Sequence, residues 1–339
     1  MGGLFSFMSK NKIAIYYEHP DWFRPLFAEL DRCGVGYDKL DAANYFFDPG
    51  ETGEYAVFFN RMSASAYMRG HTNAIFYTAG LLAHLERGGT RVINGFDAFQ
   101  IEASKSQQLA LLKQLGIAFP KTRILNSLSK VAEAIDGLTF PVIFKPNIGG
   151  RGAGIVKFDT RDELLAAARA AALDLGIDST ALLQDFVPKR GEHINRVETL
   201  NGKVLYAIKV YPKGEDFNLC PAEVCEIERQ KEPSTQVGEF CVVEAVKQGL
   251  RIERFEPEPE IVEKVERIAA AAKLDVGGVE YLIDDRTGEA LFYDINALSN
   301  FVADTSLIGF DPHERLVDFI VEELERCDTD TGCRFSAAG

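Results

Sequence analysis

The sequence predicts a mixed α/β and α+β fold, in which a parallel-sheet domain precedes two lobes built largely on antiparallel strands. Three observations carry this. From Lys12 the chain shows strand–helix–strand periodicity; a glycine-rich loop near its middle lies between two short strands; and its last third holds two apolar strands joined by a polar turn. With 339 residues, 46% of them hydrophobic and 26% charged, the chain has ordinary globular composition and room for two or three subdomains.

The first unit opens with the strand Ile13-Ala14-Ile15-Tyr16-Tyr17, a helix from Trp22 to Arg32 stopped at Gly34, and a second strand beginning near Val35-Gly36-Tyr37. A further apolar strand, Tyr55 to Phe59, ends in the polar loop Asn60-Arg61-Met62-Ser63-Ala64-Ser65. Such strand-end loops line the ligand crevice in open α/β sheets, and Arg61 is the residue there best suited to an anion, if it is not simply a surface arginine. A helix from Gly80 to Arg87 and a strand at Arg91-Val92-Ile93-Asn94 close this unit near Phe99. The expected domains are therefore a disordered tail at 1–10 and an α/β domain at 11–99.

A helix from Ser104 to Leu115, the strand–loop–strand between Phe140 and Phe158, an alanine-rich helix from Asp162 to Leu175 and a strand from Ala181 to Val187 make a second unit at 100–186. The remainder, 187–326, reads as an antiparallel sheet with helices at Pro259 to Ala272 and Pro312 to Leu324. Residues 327–339 lack apolar periodicity and are expected to form a loose tail.

Charge and cysteine usage narrow the function. A net charge of −14 without clustered Lys and Arg disfavours nucleic acid as a partner. No apolar run approaches the ~18 residues of a membrane span, so no membrane partner is expected. Six cysteines lie far apart with no CxxC pair, which argues against a zinc site or disulfide framework and fits a reducing cytoplasm.

The chemistry concentrates in two places. In Phe140-Pro141-Val142-Ile143-Phe144-Lys145-Pro146-Asn147-Ile148-Gly149-Gly150-Arg151-Gly152-Ala153-Gly154 the glycines, Gly150 and Gly152 among them, precede a strand. A dinucleotide fingerprint needs a following helix, and a Walker loop needs Gly-Lys-Ser/Thr. What fits is a β-hairpin flap whose N–H groups approach phosphate oxygens, with Lys145 adding a point charge. Downstream, Gly278 to Ile283 and Ala290 to Asn296 flank the turn Asp284-Asp285-Arg286-Thr287-Gly288. With the turn centred on Arg286 and Thr287, Glu280 falls opposite Asp294 to within about one residue of register, and the period of two puts Asn296 on the same face as Asp294. Facing carboxylates repel, so the pair implies a cation, and three hard oxygen donors suit magnesium shared with ATP phosphates.

In this combination the chain resembles the ATP-grasp superfamily and, within it, the RimK-like carboxylate–amine ligases, over roughly Tyr55 to Leu324. The matching features run in order: Asn60-Arg61-Met62-Ser63, Lys105 in Glu102-Ala103-Ser104-Lys105-Ser106, Lys145 before the flap, Gln184-Asp185-Phe186-Val187, and Glu280 with Asp294-Ile295-Asn296. The resemblance implies an ATP-grasp fold with a Rossmann-like pre-ATP-grasp domain, a small β-flap subdomain and a C-terminal antiparallel lobe.

It also implies site roles. Lys105 and Lys145 would contact ATP phosphates, with the linker Gln184, Asp185, Phe186 and Val187 meeting adenine largely through its backbone. Either Glu192 or His193 would contact ribose, and Lys209 resembles the basic residue at the γ-phosphate. Glu280, Asp294 and Asn296 would hold magnesium, as one or two ions that manganese could replace. Arg61, Asn218, Ser299 and Asn300 would shape the substrate pocket.

The expected reaction activates a small-molecule or peptide carboxylate as an acyl phosphate and joins it to an amine, with Arg196 stabilising the oxyanion. A phosphotransferase on the same scaffold, or a nucleotide-gated binding protein without turnover, are the alternatives, and homo-oligomerisation is left open.

Overall fold

The computed structural model describes residues 13–19, 21–51, 54–150, 153–211, 251–301 and 305–334. The N-terminal unit comprises β1 (Ile13–Tyr17), α1 (Arg24–Arg32), β2 (Tyr37–Asp41), β3 (Val57–Arg61), α2 (Thr72–Arg87) and β4 (Arg91–Ile93). Its sheet is parallel throughout, in the order β2-β1-β3-β4. Burial on both faces explains the unbroken apolar runs of β1 and β3. Helix α2 begins at Thr72 rather than Gly80, because its buried stripe of Ala74, Ile75, Thr78, Leu81, Leu82 and Leu85 runs through the glycine at helical spacing.

Next come α3 (Phe96–Glu102), α4 (Lys105–Gln114), β5 (Thr122–Leu125), α5 (Val131–Ala134), β6 (Val142–Pro146), β7 (Val156–Phe158), α6 (Arg161–Arg169) and β8 (Ala181–Asp185). The four strands form an antiparallel sheet, β5-β8-β6-β7. Thr160 and Glu163 start α6 with a capping box, and the helix stops at Arg169, short of the expected Leu175. The chain leaves helical geometry at Ala171, whose φ is +52°.

The last unit holds β9 (Ile194–Leu200), β10 (Lys203–Tyr211), β11 (Arg251–Phe255), α7 (Pro259–Ala271), β12 (Val276–Ile283), β13 (Ala290–Asn296), α8 (Thr305–Ile308) and α9 (Pro312–Arg334). Its sheet, β11-β10-β9-β12-β13, is antiparallel. One face packs Val197, Ala207, Val279 and Phe292 against Leu109 and Leu112 of α4 and Val265 and Ile268 of α7. On the other face, Tyr206, Ile208 and Val210 share a core with Ile13, Ile15, Val57 and Phe59 of the N-terminal sheet and with Leu316 and Ile320 of α9.

Helix α9 corrects the expected loose tail, since it continues to Arg334. Extending an established helix costs far less than nucleating one, and Leu324 and Cys327 still pack on the core beneath it. Among the described residues, no helix is long and apolar enough to cross a membrane.

Candidate active site

Two transverse rows of side chains cross the C-terminal sheet on the face turned towards the N-terminal domain. In the first, Ile208, Arg196, Glu280 and Asp294 are successive cross-strand partners, so Glu280 and Asp294 stand opposite each other as expected. The second row is Tyr206, Glu198, Gly278 and Asn296. A register shift after Glu280 bulges β13 at Tyr293.

The cations facing the two acids are the chain's own. Arg196 Nη1 donates to Glu280 at 2.8 Å, and Lys105 Nζ donates to Asp294 Oδ1 at 2.6 Å. Arg196 and Glu280 are 5% and 4% exposed, so each charge depends on its partner rather than on water. Burial and the neighbouring Asp294 raise the Glu280 pKa above the ordinary carboxylate value in spite of Arg196. At Asp294 burial acts the same way, but Lys105 outweighs it and holds the pKa below normal.

Lys105 and Lys145 meet because Asn147, two residues beyond Lys145, stitches β6 to the start of α4. The Asn147 carbonyl accepts from the Lys105 N–H at 3.2 Å, and its Oδ1 accepts from the Ser106 N–H at 2.8 Å. The Ser104 hydroxyl caps the same helix by accepting from the Gln107 N–H. Lys145 is 5% exposed. Burial and then the Lys105 charge push its pKa down to about 7, against the opposing pull of Asp294 and Glu280.

Gln108 on α4 fixes β13: its Nε2 donates to the Ile295 carbonyl at 2.9 Å and its Oε1 accepts from the Ile295 N–H at 3.1 Å. This bidentate clamp covers the edge strand between Asp294 and Asn296. Glu102 then accepts from the Ala297 and Leu298 N–H groups and turns the chain towards Ser299.

At that turn the predicted substrate residues assemble. Arg61, 3% exposed and hence no surface arginine, donates from Nη2 to the Ser299 carbonyl at 2.6 Å and to Asn300 Oδ1 at 3.1 Å. The Ser299 hydroxyl accepts from Arg196 Nη2 at 3.1 Å and donates to Glu198, joining this group to the acid row. Asn94, at φ +52°, anchors the N-terminal unit to the same region. Its Nδ2 donates to the Val276 and Ala297 carbonyls, and its Oδ1 accepts from the Asp275 and Val276 N–H groups.

Other predicted residues are placed apart. Lys209 is one residue out of phase with the Arg196 row, paired with Glu253 and Asn195, so it points to the opposite face of the sheet. There its charge, after burial, lowers the His193 pKa. Contact between Lys209 and a γ-phosphate would require nucleotide on that second face. Glu192 is exposed and His193 half-buried beside the Tyr211 ring.

In the linker, the Gln184 amide is spent on Thr122 at 2.8 Å, and the Asp185 and Phe186 N–H groups donate to Lys121 and Pro141 carbonyls. Those two amides already have partners inside the protein, which narrows the linker backbone expected to meet adenine. Val187 packs with Leu282 and Leu291 and against Tyr293, an apolar patch on the hairpin bearing Glu280 and Asp294. Phe186 stacks under Lys157. In the flap, the Gly150 carbonyl accepts from the Ala153 N–H at 3.1 Å. Gly152 and Asn218 lie outside the described residues.

The donor set fits magnesium: two carboxylates and a carboxamide, all hard oxygen ligands, converge on one face. Among the described residues, the buried Asn296 Nδ2 has no hydrogen-bond partner. Among the described residues, no group of three or more His, Cys, Asp and Glu side chains gathers as a metal site here or elsewhere, so this set rests on two carboxylates and the Asn296 carboxamide. Glu198, Gln108, Glu102 and Asn94 form no motif in the sequence. Only the alternation Arg196-x-Glu198 on an apolar strand could have pointed to one of them.

Known proteins resemble this chain in part of its sequence and in its fold. A family model described as a RimK-like ATP-grasp domain matches residues 102–237. That stretch contains Lys105, Lys145 and Arg196 and ends before Glu280. A probable alpha-L-glutamate ligase from Teredinibacter turnerae is 28% identical over 135 residues, 40% of this chain and 44% of that protein. The chain thus spans less than half the length of that curated relative. A RimK domain ATP-grasp protein from Sphaerobacter thermophilus superposes with a TM-score of 0.63 at 18% identity, covering 91% of this chain and 99% of that one. A D-alanine–D-alanine ligase from Bacillus anthracis, in complex with ATP, gives 0.62 at 14% identity over 94% and 98% of the two chains. These last two likenesses extend the fold across the hairpin that the family model leaves out.

Proposed function

We propose that this chain is a member of the ATP-grasp superfamily through its RimK-like domain and an ATP-dependent ligase that activates a carboxylate as an acyl phosphate and joins it to an amine. The observation that carries this reading is the row Arg196–Glu280–Asp294, joined through Lys105 to Lys145 and through Ser299 to Arg61. Phosphate-binding cations, metal-binding oxygens and a buried anion-holding arginine are continuous there.

In this reading adenine lies against Val187, Leu282 and Tyr293, and the triphosphate runs towards Lys145 and Lys105 at the start of α4, where the helix N-terminus favours negative charge. Glu280, Asp294 and Asn296 would hold magnesium, which supplies charge screening at the transferring phosphoryl group. Phosphate oxygens give Lys105 a new partner in place of Asp294. Arg61 and Asn300 position the substrate carboxylate for in-line attack, and Arg196 faces the oxygen that becomes negative when the amine adds to the acyl carbon. The flap around Gly150 closes over the intermediate and keeps water away.

The acid is a small molecule or a peptide, and the scattered cysteines support a reducing, cytoplasmic setting for the reaction. The test is ADP release across panels of candidate acids and amines, with mass spectrometry of the product. An amide formed with one ADP per bond supports the reading. ADP release accompanied by a phosphorylated alcohol refutes it in favour of phosphotransfer.

A further inference from the structure

The second transverse row holds a carboxylate that the proposed chemistry does not use. Glu198 is 0% exposed, and a buried carboxylate is costly unless it is paired and hydrogen-bonded. Its partners are Arg196 Nε at 2.6 Å and the Ser299 hydroxyl. Because Ser299 also accepts from Arg196 Nη2 at 3.1 Å, the three side chains close a ring.

Gly278, next to Glu198 in that row, makes the ring fit. A Cβ there would come within 2.8 Å of both Arg196 Nη2 and Glu198 Oε2. The position lies inside β12 and outside the positive-φ region, so glycine serves no backbone need, and its contribution is the missing side chain.

Arg196 thus has two carboxylates, Glu280 on Nη1 and Glu198 on Nε. Were Glu280 its sole partner, a cation taking Glu280 would strand a buried guanidinium, and that cost would be subtracted from the affinity for the metal. With Glu198 in place, Arg196 stays paired throughout the exchange.

We propose that Glu198, held by Ser299 in the space left at Gly278, is a positioning residue that retains Arg196 when a divalent cation takes Glu280. This rests on the site being a metal–nucleotide site. Among the described residues, Lys105 has no second carboxylate of this kind among its hydrogen bonds, and phosphate would relieve it instead.

The test is manganese binding by the full chain in saturating AMPPNP, followed by the electron paramagnetic resonance signal of free Mn2+, which needs no knowledge of the substrate. Glu198→Gln should weaken Mn2+ binding about tenfold or more, a lower bound on one lost charge contact, which at an effective dielectric near 20 is roughly a thousandfold at full strength. In an Arg196→Met background the same substitution should change affinity by less than about twofold, because coupled residues are non-additive. Parental affinity in Glu198→Gln, or an equal loss in both backgrounds, overturns the proposal. Should Glu198→Gln fail to fold, Ser299→Ala is expected to weaken Mn2+ in the same direction by roughly tenfold, the scale of one hydrogen bond to a charged group, and parental affinity there overturns it too. If the parent binds no Mn2+ with AMPPNP, the metal–nucleotide reading falls and takes the proposal with it; normal parental binding with unaffected variants removes the proposal alone.

Discussion

Raising the pH tests the charge arrangement directly through Lys145. Its pKa is pushed from the ordinary 10.5 down to about 7 by burial and by the neighbouring Lys105, so at pH 8.5 the nucleotide-free protein carries it mostly neutral. A triphosphate beside the amine favours the ammonium form. If the bound pKa returns to about 10.4, binding at pH 8.5 takes up close to one proton per nucleotide, and affinity falls about tenfold per pH unit from 7 upwards. Calorimetry of AMPPNP binding in buffers of different ionisation enthalpy measures that uptake, and Lys145→Met should remove it.

The stability of the free protein follows with a definite sign. Between about 7 and 10.5 the unfolded chain binds the proton that the folded chain lacks, so Lys145 makes stability rise with pH across that window, by at most ~1.4 kcal/mol per unit. Equal proton uptake by the parent and Lys145→Met would refute the reasoning.

Asp294→Asn should raise the magnesium needed for ADP formation and lower the rate on the order of a hundredfold or more, the scale of a lost metal ligand's charge screening. It should also destabilise the free protein by about 1–3 kcal/mol in a denaturant titration, because it strands Lys105 beside Lys145. Asn94→Ala leaves buried carbonyl and N–H groups of Asp275, Val276 and Ala297 without partners and should cost roughly 3 kcal/mol or more, again read by denaturant unfolding. Lys209→Met should raise the His193 pKa towards 6.5 in an NMR titration of its ring protons, since the Lys209 charge helps to depress it.

What the sequence made legible was local. Two apolar strands around a polar turn predict a hairpin that brings Glu280 opposite Asp294 to within about one residue, and the bulge at Tyr293 supplies the final step of register. The flap strands and the parallel N-terminal sheet follow from equally local patterns.

The electrostatics were not legible, because they depend on contacts distant in sequence. Facing carboxylates implied a missing cation and a mutual repulsion that removing either charge would relieve. The chain instead supplies Arg196, 84 residues from Glu280, and Lys105, 189 residues from Asp294, which reverses the sign of that expectation. Lys209 shows the converse error, since a basic residue at suitable spacing was assigned by order along the chain, whereas one step of strand register turns it to the other face. Helix α9 outran its apolar pattern because the polar residues after Cys327 extend a helix already nucleated.

The central claim is that ATP activates a carboxylate on this protein, and hydroxylamine tests it most directly. With an acid that supports ADP release, hydroxylamine in place of the amine should intercept the acyl phosphate. An acyl hydroxamate forming in step with ADP, and lost in Asp294→Asn, is the result the account predicts. ADP release with no hydroxamate and a stable phosphorylated alcohol would contradict it.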